Sequence, residues 1–127
     1  MEITGLDHFV ITATDIEETC EFYATLLDLD IHRYGDDRTA LHFGNQKINV
    51  HDTSDRYSFV ADKPTPGSHD FCFRTSSPIE EIIDRFHTHD IEIIKGPVER
   101  TGAEGTMTSV YCRDPDDNLV EIATYTP

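Results

Sequence analysis

Apolar and polar positions follow the same order twice along this chain. The stretches "GLDHFVITATDIEETCEFY" and "GSHDFCFRTSSPIEEIIDRF" each contain a glycine, a run of apolar or alternating residues, a polar break and an apolar pattern of helical spacing. A strand places alternate residues on one face, whereas a helix repeats every 3.6 residues. Each stretch therefore predicts a strand followed by a helix, and the chain predicts an internal repeat.

The two predicted helices have start signals as well as apolar faces. In the first, Asp15 or Thr14 is the expected N-cap; in the second, Ser77 is the expected cap and Pro78 the first helical residue. Apolar or small residues at spacings of three and four mark the expected core faces: Ile16, Thr19, Cys20, Phe22, Tyr23, Leu26 and Leu27 in the first helix, and Ile79, Ile82, Ile83 and Phe86 in the second.

Three short strands are predicted after each helix. They are "LDIHRYG", "TALHFG" and "KINVHD" in the first half, and "IEIIKGPVE", "MTSVYCR" and "NLVEIATY" in the second. A polar, proline-bearing linker at about 53–66 separates modules at about 1–52 and 67–127, within a single domain spanning 1–127. The predicted fold class is α+β, with two βαβββ modules whose mixed sheets form a shared cup, since one helix covers only one face of each sheet.

Charge narrows the range of partners. The formal net charge is −15, from 25 Asp plus Glu against 10 Lys plus Arg. Nucleic acid and anionic membranes attract basic surfaces, so we expect neither as a partner. No apolar stretch is long enough to span a membrane and no signal peptide is recognisable, so we expect a cytoplasmic protein. The acidic, lysine-poor composition favours a halophilic source over an ordinary acidic mesophile.

Three cysteines, Cys20, Cys72 and Cys112, are widely separated and odd in number. Neither a disulfide framework nor a zinc ribbon is indicated by this spacing. We expect them to be buried free thiols.

Three side chains with metal-ligating chemistry come from strands that the repeat relates to one another. His8 lies in the first strand, His51 in the fourth strand of the first half, and Glu121 in the fourth strand of the second half. A carboxylate between apolar neighbours either points to water or faces inward, where its charge needs compensation. Two imidazoles and a carboxylate suit a divalent first-row ion. His32, His42, His87 and His89 do not share this placement and are expected to line the pocket or the surface.

A fourth position has two candidates. Aligning "DHFVIT" with "HDFCFR" without a gap places Asp70 opposite His8, whereas His69 requires a shift of one residue, which turns the side chain to the other face. Register favours Asp70, and ligand chemistry favours His69.

These residues resemble the vicinal oxygen chelate superfamily, which contains glyoxalases, bleomycin-resistance proteins and extradiol dioxygenases. The resemblance is carried by "LDHFVITATDIEETCEFYATLLDLDI" and by "RDPDDNLVEI", in which Asp117 stands where the family usually has glycine. It looks closest to single-domain glyoxalase domain-containing, lactoylglutathione-lyase-like proteins, through "HFGNQKINVHD", "KPTPGSHDFCF" and "GPVERTGAEGTMTSVYCRDPDDNLVEI". It implies paired βαβββ modules, a site in the cup and a homodimer.

By position, the resemblance implies that His8 is the first metal ligand and Glu121 the last. His51 stands where glyoxalase I has a glutamate, and Asp70 stands where it has a histidine. The implied cofactor is a divalent ion (Ni, Zn, Mn or Fe). Glu121 is then the strongest candidate for the catalytic base among the proposed ligands.

Three functions are compatible with these residues. The first is a metal-dependent lyase or isomerase of glyoxalase type that acts on a small oxygenated or carbonyl compound, with Arg74, Arg100 and Tyr111 as candidates for orienting the substrate. The second is an extradiol-type dioxygenase, for which two histidines and one carboxylate are the expected iron ligands. The third is a metal-free small-molecule binding or resistance protein, whose cup is lined by aromatic residues such as Phe43, Tyr57 and Phe59.

Overall fold

Two compact units make up the chain. The computed structural model describes residues 1–35 and 37–126, and the units are Met1–Ser68 and His69–Pro127. Each unit has the order strand, helix and three strands, and each contains one four-stranded mixed sheet. The predicted α+β class with two βαβββ modules is therefore confirmed.

The first unit consists of β1 (His8–Thr12), α1 (Ile16–Leu27), β2 (Asp30–Tyr34), β3 (Arg38–Phe43) and β4 (Gln46–His51). The strand order in its sheet is β1-β4-β3-β2, with β1 parallel to β4 and the other pairs antiparallel. Helix α1 begins after Asp15, whose carboxylate accepts a hydrogen bond from the backbone N–H of Glu18 at 3.0 Å. Asp15 is thus the N-cap, one of the two residues expected.

Helix α1 covers one face of the first sheet. Buried residues of the helix, Cys20, Tyr23 and Leu26, are matched on the strands by Ile11, Leu41, Ile48 and Val50, all within 1% of complete burial. Register pairs Ile11 with Val50 and Leu41 with Ile48, so these four side chains point to the same side of the sheet. The residues between them in sequence point away from α1.

The second unit consists of β5 (Asp70–Arg74), α2 (Ile79–Thr88), β6 (Lys95–Gly102), β7 (Gly105–Arg113) and β8 (Leu119–Tyr125). Its strand order is β5-β8-β7-β6, with β5 parallel to β8. Helix α2 contacts β7 and β8. Its buried residues are Ile82 and Phe86, and the sheet contributes Val110, Cys112, Val120 and Ile122 to the same core.

Two boundaries differ from the sequence-based predictions. The N-cap of α2 is Pro78, and no side chain caps the helix, so the expectation that Ser77 caps it is wrong. The predicted strand "IEIIKGPVE" begins only at Lys95 and continues to Gly102, because residues 91–94 alternate in burial without a continuous strand partner. Alternating burial shows only that one side of a segment is covered by the protein. Whether the segment forms a strand depends on a neighbouring strand being available for hydrogen bonding.

The turn before β8 is tied together by buried polar side chains. The Asp114 carboxylate accepts hydrogen bonds from the backbone N–H groups of Asp116 at 2.9 Å and Asn118 at 3.0 Å, and from Nδ2 of Asn118 at 2.8 Å. Oδ1 of Asn118 accepts from the backbone N–H of His69 at 2.9 Å. Asp117 occupies the left-handed region with φ 66°, a conformation that aspartate tolerates better than most residues. The turn thereby fixes the start of β8 beside the start of β5.

Candidate functional site

The first sheet has a face that points away from α1, which we call its helix-free face. Register places the side chains of this face in rows across the four strands. The first row contains His8, Lys47, His42 and Asp30, the second contains Val10, Asn49, Ala40 and His32, and the third contains Thr12, His51, Arg38 and Tyr34. Four of the seven histidines of the chain therefore lie on one face of one sheet.

His8, at the start of β1, is oriented by its sequence neighbour. Nδ1 of His8 lies 2.8 Å from Oδ1 of Asp7, and 46% of the His8 side chain is exposed. The hydrogen bond to His8 is the main reason why the pKa of Asp7 lies below its usual value. A carboxylate on one imidazole nitrogen fixes the ring, and it leaves the other nitrogen available to a ligand.

His51 lies at the opposite end of this face. It pairs across the ladder with Thr12, whereas His8 pairs with Lys47, four residues earlier on β4. Because a strand rises about 3.3 Å per residue, roughly 13 Å of β4 separates His51 from Lys47, the partner of His8. The His51 ring stacks on Tyr57, with ring centroids 3.8 Å apart and an interplanar angle of 5°.

Asn49 is a candidate site residue that the sequence analysis did not select. It pairs with Val10, two residues after His8, just as Glu121 pairs with Cys72, two residues after Asp70. Asn49, and not His51, is therefore the repeat counterpart of Glu121. Alignment of "INV" in β4 with "VEI" in β8 offers Asn49 as a counterpart, but His51 has the same parity and remains equally possible until the strand pairs are known.

The second sheet also has a helix-free face, and Asp70 and Glu121 both lie on it. Asp70 pairs with Leu119 and Cys72 pairs with Glu121, so Asp70 precedes the partner of Glu121 by two residues. His69 lies one residue before β5, and burial lowers its pKa, against the opposing charges of Asp114 and Asp116. The register places Asp70, rather than His69, on the face of Glu121.

Glu121 has an unsatisfied carboxylate oxygen. Its Oε2 atom is buried and has no hydrogen-bond partner. The neighbouring thiol group of Cys72 is partly desolvated, and this desolvation, followed by the charge and hydrogen bonding of Glu121, raises its pKa to about 12, although the residue as a whole is accessible to solvent. Cys72 is exposed, so the prediction that all three cysteines are buried holds for Cys20 and Cys112 but is wrong for Cys72. Cys72 lies on the helix-free face, where α2 does not cover its small side chain.

Of the three candidate orienting residues, Tyr111 is next to Glu121 on this face, and Arg100 is bonded to Tyr111. Tyr111 is the direct partner of Glu121 on β7, and its hydroxyl accepts a hydrogen bond from Nε of Arg100 at 3.0 Å. Arg74 is paired with Glu104 and lies over the ring of Tyr125, with its guanidinium carbon 4.7 Å from the ring centroid. Tyr111 is thus the best placed of the three beside Glu121, Arg100 is linked to it through the Tyr111 hydroxyl, and the guanidinium of Arg74 is engaged by Glu104.

A small pocket lies beside His51 in the first unit. Its volume is about 230 Å³, and its lining comes from β1, the end of β4 and the following segment: Thr12, His51, Asp52, Thr53, Ser54, Asp55, Tyr57, Val60 and Pro64. The Tyr57 hydroxyl accepts hydrogen bonds from Arg56 at 2.6 Å and from the backbone N–H of Asp52 at 3.2 Å. Of the aromatic residues expected to line a binding cup, Tyr57 lines this pocket, whereas Phe59 is fully exposed.

Among residues 1–35 and 37–126, no group of three or more His, Cys, Asp or Glu side chains is close enough to hold a metal ion. Within the same residues, no helix is both long and apolar enough to cross a membrane. Neither result assigns a function.

Protonation of His51 is expected to lower stability in acid. Its pKa lies below the usual value because of burial first and then the charges of Arg38 and Arg56. Below the usual pKa of about 6.5, the unfolded chain therefore takes up the proton more readily than the folded chain, and stability is lost as pH falls. We expect His51→Gln to reduce this loss.

The measurement is urea unfolding at about pH 7.5 and about pH 5.5. His42 and His69 also have pKa values lowered by burial, so part of the loss should persist in the variant. His87→Gln, at the exposed end of α2, is the control and should retain the full pH dependence. An equal loss of stability in wild type and His51→Gln would contradict the prediction.

Comparison with known proteins identifies the family. The description "Glyoxalase/Bleomycin resistance protein/Dioxygenase superfamily" belongs to a family model that matches residues 5–122. The chain belongs to this superfamily. The resemblance drawn from "LDHFVITATDIEETCEFYATLLDLDI" and "RDPDDNLVEI" is thereby confirmed.

Relatives in this superfamily match over nearly the whole chain. Virulence protein STM3117 of Salmonella typhimurium is 46% identical over 125 residues, which cover 98% of this chain and 87% of the relative. Its crystal structure superposes with a TM-score of 0.96, covering 99% of this chain and all of that one. Glyoxalase domain-containing protein RDO1 of Mycosarcoma maydis is 42% identical, with coverage of 98% and 70%.

A third similar structure is the integron cassette protein VCH_CASS1 from the mobile metagenome of Vibrio cholerae. It is 41% identical, has a TM-score of 0.96, and the match covers 99% of this chain and 98% of that one. The agreement with RDO1 confirms the resemblance to glyoxalase domain-containing proteins. None of these three names states a substrate.

Proposed function

We propose that this member of the superfamily is a metal-dependent lyase or isomerase of glyoxalase type, acting on a small oxygenated or carbonyl compound. The proposed ligands are His8 and Glu121, with Asp70 and His51 as further candidates. Glu121 is also the proposed catalytic base.

The observation that carries this proposal is the buried Oε2 atom of Glu121, which lacks a hydrogen-bond partner. Leaving a buried polar group unsatisfied costs about 1–3 kcal/mol, and more when the group is charged. A cation compensates such a carboxylate, whereas an apolar neighbour does not. We therefore propose a bound cation as the partner of Oε2.

The contact between His8 and Asp7 supports the same proposal from the first unit. Histidines that bind metals usually donate the N–H of their other ring nitrogen to a carboxylate, as Nδ1 of His8 can do to Asp7 at 2.8 Å. Imidazole nitrogen and carboxylate oxygen are donors that suit zinc, nickel, manganese or iron. The donor types of His8, Asp70 and Glu121 therefore suit a divalent ion.

His51 and Asp70 differ in how well their surroundings support a ligand role. Asp70 is exposed and shares the face of Glu121, so its carboxylate is available. His51 is stacked on Tyr57 and lies four residues along β4 from the partner of His8. We therefore rank Asp70 above His51 as the third ligand.

The chemistry of the proposed reaction is a proton transfer next to a carbonyl. A bound divalent ion would supply the positive charge that polarises the substrate oxygens. Glu121 would accept a proton from the substrate carbon next to the carbonyl and return it to the carbonyl carbon. Tyr111 and Arg100 would donate hydrogen bonds that hold the substrate beside this carboxylate.

The first test is the metal content of the protein purified without chelator at high salt. We expect close to one divalent ion per chain in the wild type and a large loss in His8→Ala. His87→Ala, which removes a histidine at the exposed end of α2, is the control and should keep the metal. Wild-type protein that stays metal-free after reconstitution with Ni, Zn, Mn and Fe would refute the metal-dependent enzyme.

A second candidate function is metal-free binding of a small molecule. The pocket of about 230 Å³ beside the stacked rings of His51 and Tyr57 favours it. Removal of the metal would then leave ligand binding unchanged, whereas Tyr57→Ala would abolish it. An extradiol-type dioxygenase would instead require iron among the bound metals.

Three sequence-based expectations stay predictions: a homodimer, a halophilic source and a cytoplasmic location. The resemblance supports the homodimer, and the net charge of −15 supports a halophilic source. Sedimentation at low and molar salt would test the homodimer and show whether it depends on molar salt.

A further inference from the structure

The helix-free face of the first sheet differs in charge from the rest of the protein. The chain carries 25 acidic residues against 10 Lys plus Arg, yet the twelve side chains in the three rows include one carboxylate, that of Asp30. The same twelve side chains include two cations, Lys47 and Arg38, and four histidines. These two cations and one carboxylate give the face a formal charge of +1 on a chain of net charge −15, so it repels anions less than the rest of the surface does.

Lys47 lies in the first row, between two histidines. Register pairs it with His8 on β1 and with His42 on β3. It is half-buried, and within residues 1–35 and 37–126 it forms no ion pair at 4.0 Å or less. Asp7 is close enough for the charge of Lys47 to contribute to its lowered pKa, but the Asp7 carboxylate is bonded to His8.

A short chain of hydrogen bonds holds the Lys47 ammonium in place. Nζ of Lys47 donates to the Tyr34 hydroxyl at 3.2 Å and lies 5.0 Å from the centroid of the Tyr34 ring. The Tyr34 hydroxyl in turn donates to Oδ1 of Asn49 at 3.2 Å. An ammonium has three donors, and Tyr34 accepts one of them, so two are left for a ligand.

We infer that Lys47, held by Tyr34 and flanked by His8 and His42, binds the carboxylate of a small organic acid on the helix-free face of the first sheet. This inference rests on the proposed function for its biological meaning, because it specifies the substrate class as a carbonyl or oxygenated compound that also carries a carboxylate. The binding itself requires no metal.

The neighbours of Lys47 suit a carboxylate better than a cation. The pKa of His42 is lowered, first by burial and then by the charges of His32 and Lys47, so its ring is neutral at neutral pH and can donate one N–H. His32 stacks on His42 with ring centroids 4.0 Å apart, and this contact orients the His42 ring. One ammonium and one imidazole N–H can each meet one oxygen of a carboxylate.

The test uses succinate as the probe, because its two carboxylates are too far apart to chelate a metal through vicinal oxygens. Protein treated with chelator and then desalted is titrated with succinate and followed by amide NMR. We expect saturable shifts at His8, His42 and Lys47 in the wild type. Charge-assisted hydrogen bonds are strong, so Lys47→Met should bind about tenfold more weakly or worse.

Lys63→Met is the matched control, since it removes the same charge from an exposed lysine in the same unit and should bind succinate as the wild type does. Lys47→Arg keeps the charge and should retain binding. Inorganic phosphate is titrated in parallel, and saturation by phosphate without succinate would overturn the organic-acid assignment. Equal succinate binding by Lys47→Met and wild type would overturn the site itself.

The outcome is separable from that of the metal assay. Lys47→Met should keep the metal content of the wild type. Loss of succinate binding in Lys47→Met from a protein that never binds metal would support the anion site and refute the metal-dependent enzyme. Full metal content with succinate binding unaffected by Lys47→Met would refute the anion site alone.

Discussion

Glu121→Gln is expected to abolish binding of the proposed divalent ion and, with it, the proposed activity. Glutamine keeps the shape of the side chain but loses the negative charge, which is what compensates a cation. It also removes the proposed base, and a general base contributes about 10²–10⁴-fold to the rate. This is the largest functional effect that we predict for any single substitution.

Metal content by atomic emission and proton exchange at the carbon next to a carbonyl are the two measurements. Glu99→Gln is the matched control, because Glu99 is an exposed carboxylate on β6 in the same sheet, paired with Thr108. It should retain both metal and activity. Hemithioacetals formed from methylglyoxal with glutathione and with other thiols are suitable first substrates.

The same substitution also tests whether the unpaired Oε2 atom of Glu121 destabilises the metal-free protein. In chelator-treated protein, Glu121→Gln should be at least as stable as wild type, because it removes a buried charge whose Oε2 atom has no partner. A variant that unfolds at much lower temperature than metal-free wild type would show that Glu121 has a structural role. Full metal content in a folded Glu121→Gln would contradict the assignment of Glu121 as a ligand.

Asp114→Ala is expected to lower the free energy of unfolding by about 3 kcal/mol, the largest effect on stability that we predict. Asp114 and Asn118 are 4% and 1% exposed. The substitution leaves two backbone N–H groups and the Asn118 side-chain amide without the acceptor they use. Buried donors that lose their acceptor are costly because water cannot replace it.

Urea unfolding followed by circular dichroism measures this free energy, and thermal unfolding of the same samples should show a fall in melting temperature of roughly 10 °C. Asp117→Gly, in the same turn, is the control. Asp117 has φ 66°, a conformation that glycine adopts readily, so its replacement should change stability by no more than about 1 kcal/mol. Similar losses in both variants would mean that the turn is equally sensitive to any substitution, and would contradict the role given to Asp114.

Asp114→Ala should also weaken metal binding, since the turn fixes the start of β8 relative to β5 through the contact of Asn118 with His69. Glu121 follows Asn118 by three residues. A side chain that must meet an ion depends on the position of its backbone, so a loosened turn should lower affinity even where every proposed ligand is intact.

The repeat and the order of elements were predictable from the sequence because they depend on local patterns. A period of two or of 3.6 can be recognised in any stretch long enough to show it, and "DHFVIT" with its following helix is such a stretch. The Asp15 cap was likewise a local signal. Pro78 shows the limit: a proline fits both the N-cap and the first helical residue, and only the backbone distinguishes them.

Register across the sheets was decided by the tertiary structure. The sequence placed His8, His51 and Glu121 on related strands, but it could not say which residue of one strand faces which residue of the next. A shift of two residues keeps a side chain on the same face, so parity alone could not distinguish Asn49 from His51 as the counterpart of Glu121. The ladder pairs decided it.

The sequence by itself therefore determined the two modules, their helices, the acidic charge and the candidate residue types. Only the tertiary structure decided the contacts between strands: Asn49 at the position of Glu121, Asp70 rather than His69 on its face, and Lys47 between His8 and His42. Local patterns determine whether a segment forms a helix or a strand, because this choice depends mainly on residues within the segment itself. Contacts between distant segments depend on how strands pair, which a pattern within one strand does not contain.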